Sequence, residues 1–473
     1  MRWQRHKDAY ITAIIVFGIT MAFFWPFRDN FFVYDDFAMI ENVLSGPATV
    51  LRGYNNILRI AASAFLWPLF ALSGHDPLGY NIFCMSLYAV NALLLYFLCI
   101  QLFQDSKLAM WTAIIFAATG VGCDAVFWKA AYSTLLNVTF YILTLIAYVR
   151  FRRDGTTRFL WLSIGLFLLA VLSKEESASL PFVIIAIEIL VLGNRLNFKT
   201  ISRVIPYGVL ILAYIVANYI IIYHVMKGQS ELVKHSGVRP LHTLLAPWAA
   251  FFIAPDGRLS SSDFRIYLAA VCIPFGIFVS SDKKKYIFAL AWVFLAFMPQ
   301  SLSTLSQFQP HYIFNSVSRH LYLPSIGVAL AFALMLLRLR QFLPAKAYQI
   351  TSILLLAGYF FFNYGRVQER GKAWAEDGVP SRTFLREIKN VIPEFPANSY
   401  VFVINPPAGR AYVQQSLRAF YMVPSITWIV DPTKFTPPPG SEALLLICNW
   451  SYGMNDVKID IMPFNSSLIE NLQ

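Results

Sequence analysis

Apolar runs recur along most of the chain, each long enough to form a membrane-crossing or nearly crossing helix at roughly 20 residues per span. Short polar or basic turns separate them. About eleven such spans are expected, near 10–27, 80–103, 108–122, 131–149, 158–172, 178–193, 205–226, 264–280, 286–303, 321–337 and 347–363. Two shorter apolar pieces, Ile60–Leu72 and Leu244–Ile253, read instead as interfacial or re-entrant helices. From about residue 365 the pattern changes. Trp374–Val391 has helical periodicity and ends near Pro393, and Ala411–Tyr421 is a second helix. Ser399–Ile404, Ile426–Val430 and Ala443–Cys448 read as strands, with a Pro/Gly-rich loop at 432–440. The expected architecture is mainly α: a polytopic helical membrane protein over 1–364, followed by a small extracytoplasmic α/β domain over 365–473.

Composition agrees with that pattern. The 473 residues are 57% hydrophobic and 14% charged, with a mean hydropathy of +0.56; a soluble globular chain of this size does not have such a balance. The net charge of +12 does not indicate nucleic-acid binding, because the basic residues fall in short loops between apolar runs. With the N-terminus inside, Lys107, Arg150, Arg152, Arg153, Lys283, Lys284 and Lys285 all lie on the cytoplasmic side. The first span lacks a small-residue cleavage site and reads as uncleaved. Cys84, Cys99, Cys123, Cys272 and Cys448 form no CxxC pair and read as small buried hydrophobes.

This topology puts several charged groups on the outer face. Asp35 and Asp36 lie in Phe32-Val-Tyr-Asp-Asp-Phe37, after the first span. Such a pair offers a general base and a partner carboxylate; a solvated pair capping a helix near Phe37 is the plainer reading. Asp124 lies in the next outer turn, where an acid can also be a helix cap. Lys174 and Glu175 lie in Ser173-Lys-Glu-Glu-Ser177, and Arg319 and His320 open the tenth span in Ser318-Arg-His-Leu-Tyr-Leu-Pro-Ser325. Arg59 begins the interfacial piece. Basic groups at the outer end of apolar helices run against the usual charge bias, and an anionic phosphate would explain them. Salt bridges to local acids would explain them equally. Glu188, inside the sixth span, reads as a hydrogen-bonding group between helices. His224, His235, His242 and His311 have no metal-ligand spacing. Acids and cations on one face suit a reaction in which a carboxylate activates an acceptor while cations hold a phosphate leaving group.

The ordered set Tyr34-Asp-Asp-Phe-Ala-Met-Ile-Glu-Asn42, Arg59, Gly79-Tyr-Asn81, Asp124-Ala-Val-Phe-Trp128, Ser173-Lys-Glu175 with Leu180-Pro181, and Arg319-His-Leu-Tyr-Leu-Pro-Ser325 resembles the GT-C superfamily of polytopic glycosyltransferases. It is most similar to the branch containing protein O-mannosyltransferases and their bacterial relatives. The resemblance covers roughly residues 10–365. It implies a GT-C-like fold and inverting transfer of a sugar from a polyprenyl-phosphate donor to a hydroxyl acceptor on a protein, glycolipid or polysaccharide. It implies catalytic roles for Asp35, Asp36 and Asp124, with Asp35 favoured as base. Lys174, Arg319, Arg59, Glu175 and His320 would lie at the lipid-phosphate donor. No metal ligands are identified, and a requirement for a divalent metal stays open. Arg59 is followed by Ile where relatives usually have Pro, and the tandem helical repeats of some relatives are replaced here by the C-terminal α/β domain.

Two other readings compete with this one. A transporter or flippase of lipid-linked sugars would place charges at mid-membrane and show internal repeats, whereas the charges here cluster at the helix ends. A membrane scaffold would leave the grouped acids and cations without a role.

Overall fold

A computed structural model describes residues 2–46, 58–220, 276–277, 280, 282–304, 318–395, 398–406, 412–429, 435–439, 441–449 and 458–464. The helices, in order, are α1 (Arg2–Phe24), α2 (Asp35–Leu44), α3 (Ile60–Ser73), α4 (Pro77–Phe103), α5 (Ser106–Ala117), α6 (Asp124–Phe127) and α7 (Tyr132–Asp154). They continue with α8 (Thr157–Ser173), α9 (Leu180–Ala186), α10 (Phe198–Ile220), α11 (Lys283–Thr304), α12 (Ser325–Arg338), α13 (Ala345–Val391) and α14 (Val413–Tyr421). Helix termini follow local chemistry. Asp76 and Asp105 accept backbone N–H groups at the starts of α4 and α5, and Gly155 closes α7 in the left-handed conformation.

Five helical stretches are long and apolar enough to cross a membrane: His6–Phe27, Pro77–Phe103, Lys129–Asp154, Phe198–Ile220 and Ala345–Val391. The protein is an integral membrane protein. The count of eleven full crossings does not emerge by this criterion among the described residues: α5, α8, α9 and α12 are under 18 residues, and α11 does not meet it. The expected span at 264–280 lies almost wholly outside the described residues, as do Leu244–Ile253, Cys272, His224, His235, His242 and His311. The interfacial piece forms α3, 14 residues long with Pro68 inside it. At 1.5 Å per residue it reaches about 21 Å, short of a hydrocarbon core of about 30 Å.

Aromatic and aliphatic side chains from α1, α4, α5, α7, α11 and α12 form the core; Tyr88, for example, stacks on Tyr322 at 5.6 Å between ring centroids. Glu188 is buried where a π-helical turn (Ile187–Val191) follows α9, and it accepts from Tyr148, Arg152 and Asn194. It therefore joins the end of α7 to the chain after α9, as a hydrogen-bonding group between helices does.

Helix α13 runs 47 residues without interruption, about 70 Å and twice the thickness of a hydrocarbon core. It crosses position 365 with no break and leads into a four-stranded sheet of β1 (Tyr400–Ile404), β2 (Thr427–Trp428), β3 (Ala443–Asn449) and β4 (Lys458–Pro463), in the order β2-β1-β3-β4. β1 is parallel to both β2 and β3, while β4 is antiparallel to β3. The central strands are short, nearly continuous apolar runs, as buried parallel strands are. β4 was not among the expected strands, although Lys458-Ile-Asp-Ile alternates polar and apolar residues.

Candidate functional site

The two adjacent aspartates at the start of α2 have different surroundings. Tyr34, just before the helix, has φ 48° and ψ −121°, a strained backbone for a non-glycine residue. Asp36 is fully buried. Its two oxygens accept the backbone N–H of Val33 (3.0 Å) and of Ala130 (2.7 Å). It therefore ties the segment before α2 to the turn before α7. Burial pushes its carboxyl up to about 6, against the opposing pull of the Lys129 charge and the two N–H groups. Asp35 points elsewhere. Its Oδ1 accepts the Tyr412 hydroxyl at 2.8 Å, and it lines a cavity of about 450 Å3 with Tyr34, Trp128, Arg370, Trp374, Asp377 and Tyr412.

Asp124 reaches this cavity through intermediaries. Gly122, at φ +84°, turns the chain against Tyr322, where a Cβ would stand 2.7 Å from the ring. Buried Asp124 follows, and its Oδ1 accepts both Arg370 Nε and Trp374 Nε1 at 2.7 Å. Trp374 stacks on Trp128 at 5.8 Å between centroids, and the Arg319 guanidinium lies 4.3 Å from the centroid of Trp128. Arg370 and Trp374 did not emerge from sequence reasoning. Their signal was the spacing of Asn363, Arg366, Arg370, Trp374 and Asp377 at three- and four-residue intervals, one face of a helix. Gly371 lets that helix close on Phe27, whose ring would meet a Cβ at 2.4 Å.

The cationic residues form a second cluster. Arg59 binds Glu175 through two nitrogens at 3.0–3.3 Å. Buried Lys174 donates to Thr134 Oγ1 and pairs with Glu176 Oε1, both at 2.8 Å. His320 Nδ1 lies 2.6 Å from the same Glu176 oxygen and 3.3 Å from Lys174 Nζ. Burial, then the Lys174 and Arg319 charges, push the imidazole well below its ordinary value. Burial and the Arg59 charge lower the Arg319 guanidinium, while Asp124, Glu176 and Asp35 pull the other way. These mutual influences put the acid and cation clusters within electrostatic reach of one another. Glu176, the shared partner of Lys174 and His320, was also missed, although it is the next residue after Glu175.

Asp35, Asp124 and Arg319 are thus brought to one cavity or its immediate wall. Lys174, His320, Arg59 and Glu175 stand in the adjoining cluster, and Asp36 is a buried tether beside them. A narrow slot of about 30 Å3 is lined by Met39, Val43, Leu66, Trp67, Tyr132 and Arg59, among others. Among the described residues, no group of three or more His, Cys, Asp or Glu side chains is arranged to hold a metal ion.

No family model matches the chain, and no curated protein matches it. Solved structures do. ArnT from Cupriavidus metallidurans, in the apo state, superposes with a TM-score of 0.53 at 10% identity, covering 92% of each chain. The archaeal oligosaccharyltransferase AglB from Archaeoglobus fulgidus, in complex with an inhibitory peptide and a dolichol-phosphate, superposes with a TM-score of 0.50 at 11% identity. That match covers 89% of this chain and 64% of the AglB chain, so the present chain spans less than two thirds of that protein's length. At such identities the likeness is one of fold, and the mainly helical membrane architecture expected from the sequence is the one observed.

Proposed function

We propose that this protein is an inverting glycosyltransferase that moves a sugar from a polyprenyl-phosphate donor to a hydroxyl acceptor at the outer face of the membrane. One observation carries the reading: Asp35 lines an aromatic-walled cavity whose wall, at Trp128, is covered by the Arg319 guanidinium. A carboxylate thus lines this space, and a guanidinium packs against one of its wall residues. The AglB structure to which the fold is similar holds a dolichol-phosphate, which supports a lipid-phosphate donor here.

In this reading Asp35 accepts the proton of the acceptor hydroxyl as that oxygen attacks the anomeric carbon. The bond from that carbon to the phosphate oxygen breaks, and the lipid phosphate leaves with the electron pair. A single displacement inverts the anomeric centre. Arg319 faces the leaving phosphate. The Lys174–Glu176–His320 cluster and the Arg59–Glu175 pair hold the surrounding potential in place. Asp124 orients Arg370 and Trp374 at the cavity wall, and Asp36 fixes the backbone that presents Asp35. Residues 1–364 form the transmembrane catalytic domain, with the N-terminus cytoplasmic, and residues 365–473 form an extracytoplasmic α/β domain.

The test uses the purified protein in proteoliposomes, with a radiolabelled polyprenyl-phosphate hexose and membrane-extracted glycolipid, polysaccharide or protein acceptors. Asp35→Asn is expected to lower transfer at least about a hundredfold, the usual scale for loss of a general base, with donor binding retained. Transfer at the unaltered rate by Asp35→Asn would overturn the assignment. Vectorial movement of the intact donor without sugar transfer would favour a flippase.

A further inference from the structure

The C-terminal unit reaches the reacting carboxylate directly. Tyr412 donates to Asp35, and Arg418 ion-pairs with Glu41. The spacing is the same on both sides: six residues separate Asp35 from Glu41 on α2, and six separate Tyr412 from Arg418 at the start of and along α14. The two segments therefore lie side by side and parallel in matched register, with contacts about 9 Å apart along the axis. Arg418 also donates to Ile426 O, just before β2, so the same side chain binds α14 to its own sheet. Phe420 lies 5.6 Å from His75, between ring centroids, on the chain between α3 and α4. Tyr412 also packs edge-on against Tyr34, the strained residue that precedes Asp35.

We infer that Tyr412 is a positioning residue for the proposed base: docking of α14 on α2, locked by Arg418–Glu41, delivers a phenol that fixes the plane of the Asp35 carboxylate. The inference rests on the reading of Asp35 as the base. It gives the C-terminal unit a part in the chemistry, since the site is incomplete without that unit. The Asp35 side chain occupies the first turn of a helix behind an irregular turn, where the backbone alone leaves carboxylate rotation open. A hydroxyl 2.8 Å away selects one orientation. A base misaligned by a fraction of an ångström loses rate without losing substrate affinity.

Tyr412→Phe keeps the ring and its packing on Tyr34 and removes only the donor. The proteoliposome assay is expected to show kcat about tenfold lower, with KM for the polyprenyl-phosphate hexose unchanged. Glu41→Gln, which removes the counter-charge of Arg418 while leaving its bond to Ile426 O in place, should lower kcat similarly with KM again unchanged. The inference is overturned if Tyr412→Phe keeps the wild-type kcat, if the loss lies in KM, or if Glu41→Gln keeps the wild-type kcat. The two failures are separable. An active Asp35→Asn enzyme removes the base itself, whereas an inactive Asp35→Asn with a fully active Tyr412→Phe removes only the positioning role.

Discussion

Arg59 holds Glu175 in a two-pronged grip, Nη2 reaching both carboxylate oxygens at 3.0 and 3.1 Å while Nε lies 3.3 Å from one of them. The pair joins the start of α3 to the turn after α8, and both side chains are mostly shielded from solvent. A planar fork on a carboxylate is the strongest geometry an ion pair takes. Of the two partners the sequence suggests for Arg59, a phosphate or a local acid, the structure shows the contact with the acid.

Glu175→Gln is expected to destabilise the protein by about 2–4 kcal/mol, because a shielded guanidinium loses its counter-charge. Arg59→Lys keeps the charge but loses the fork, and should fall between. The pH dependence has a definite sign. Burial pushes the Glu175 carboxyl up, but the Arg59 and Lys174 charges outweigh it and hold it below its ordinary 4.5. Its stabilising contribution is therefore present above pH 4.5 and is lost as pH falls through the lowered value. Thermal melts of wild type and Glu175→Gln in detergent across the acid range should converge as the pH falls.

Asp36 has the opposite sign. Its carboxyl is raised from 3.8 to about 6 by burial, so the folded chain holds that proton more tightly than the unfolded chain. Its contribution is complete below pH 3.8 and is lost as pH rises through about 6. Asp36→Asn removes this titration. The stability of wild type relative to Asp36→Asn should decline between pH 4 and 6 and then level off. A constant difference over that interval would show that Asp36 is not buried as described.

Asp124 accepts two donors at one oxygen, Arg370 Nε and Trp374 Nε1. Trp374→Phe deletes one bond while keeping an aromatic ring against Trp128. It should cost about 1–2 kcal/mol in thermal stability. Asp124→Asn leaves Arg370 without its counter-charge and should cost more, about 3 kcal/mol. If the two variants melt alike, the arginine contact contributes nothing beyond the indole bond.

Much of this protein follows from its sequence read locally. Long apolar runs must form helices in a membrane, because unsatisfied backbone groups are costly in hydrocarbon; α1, α4, α7, α10 and the first part of α13 follow from that rule alone. The alternation of short apolar runs with turn residues after Pro393 likewise announces a small sheet. The nearness of Asp35 to a span end marked it for chemistry. What distinguishes Asp35 from Asp36 does not lie in the neighbouring residues. Adjacent positions on a helix point about 100° apart, and only the packed partners decide that one meets Val33 and Ala130 while the other meets Tyr412. The engagement of Asp124 by Arg370 and Trp374 spans some 250 residues, and the matched pairs Asp35–Tyr412 and Glu41–Arg418 each span 377. Such contacts depend on how separate helices dock, where shape and burial act across the whole fold. The sequence by itself determined which segments enter the membrane and which residue types stand at their ends. Only the tertiary structure decided which acid meets which cation, because a charge in a low-dielectric setting is stabilised by the particular partner that packing brings within about 3 Å.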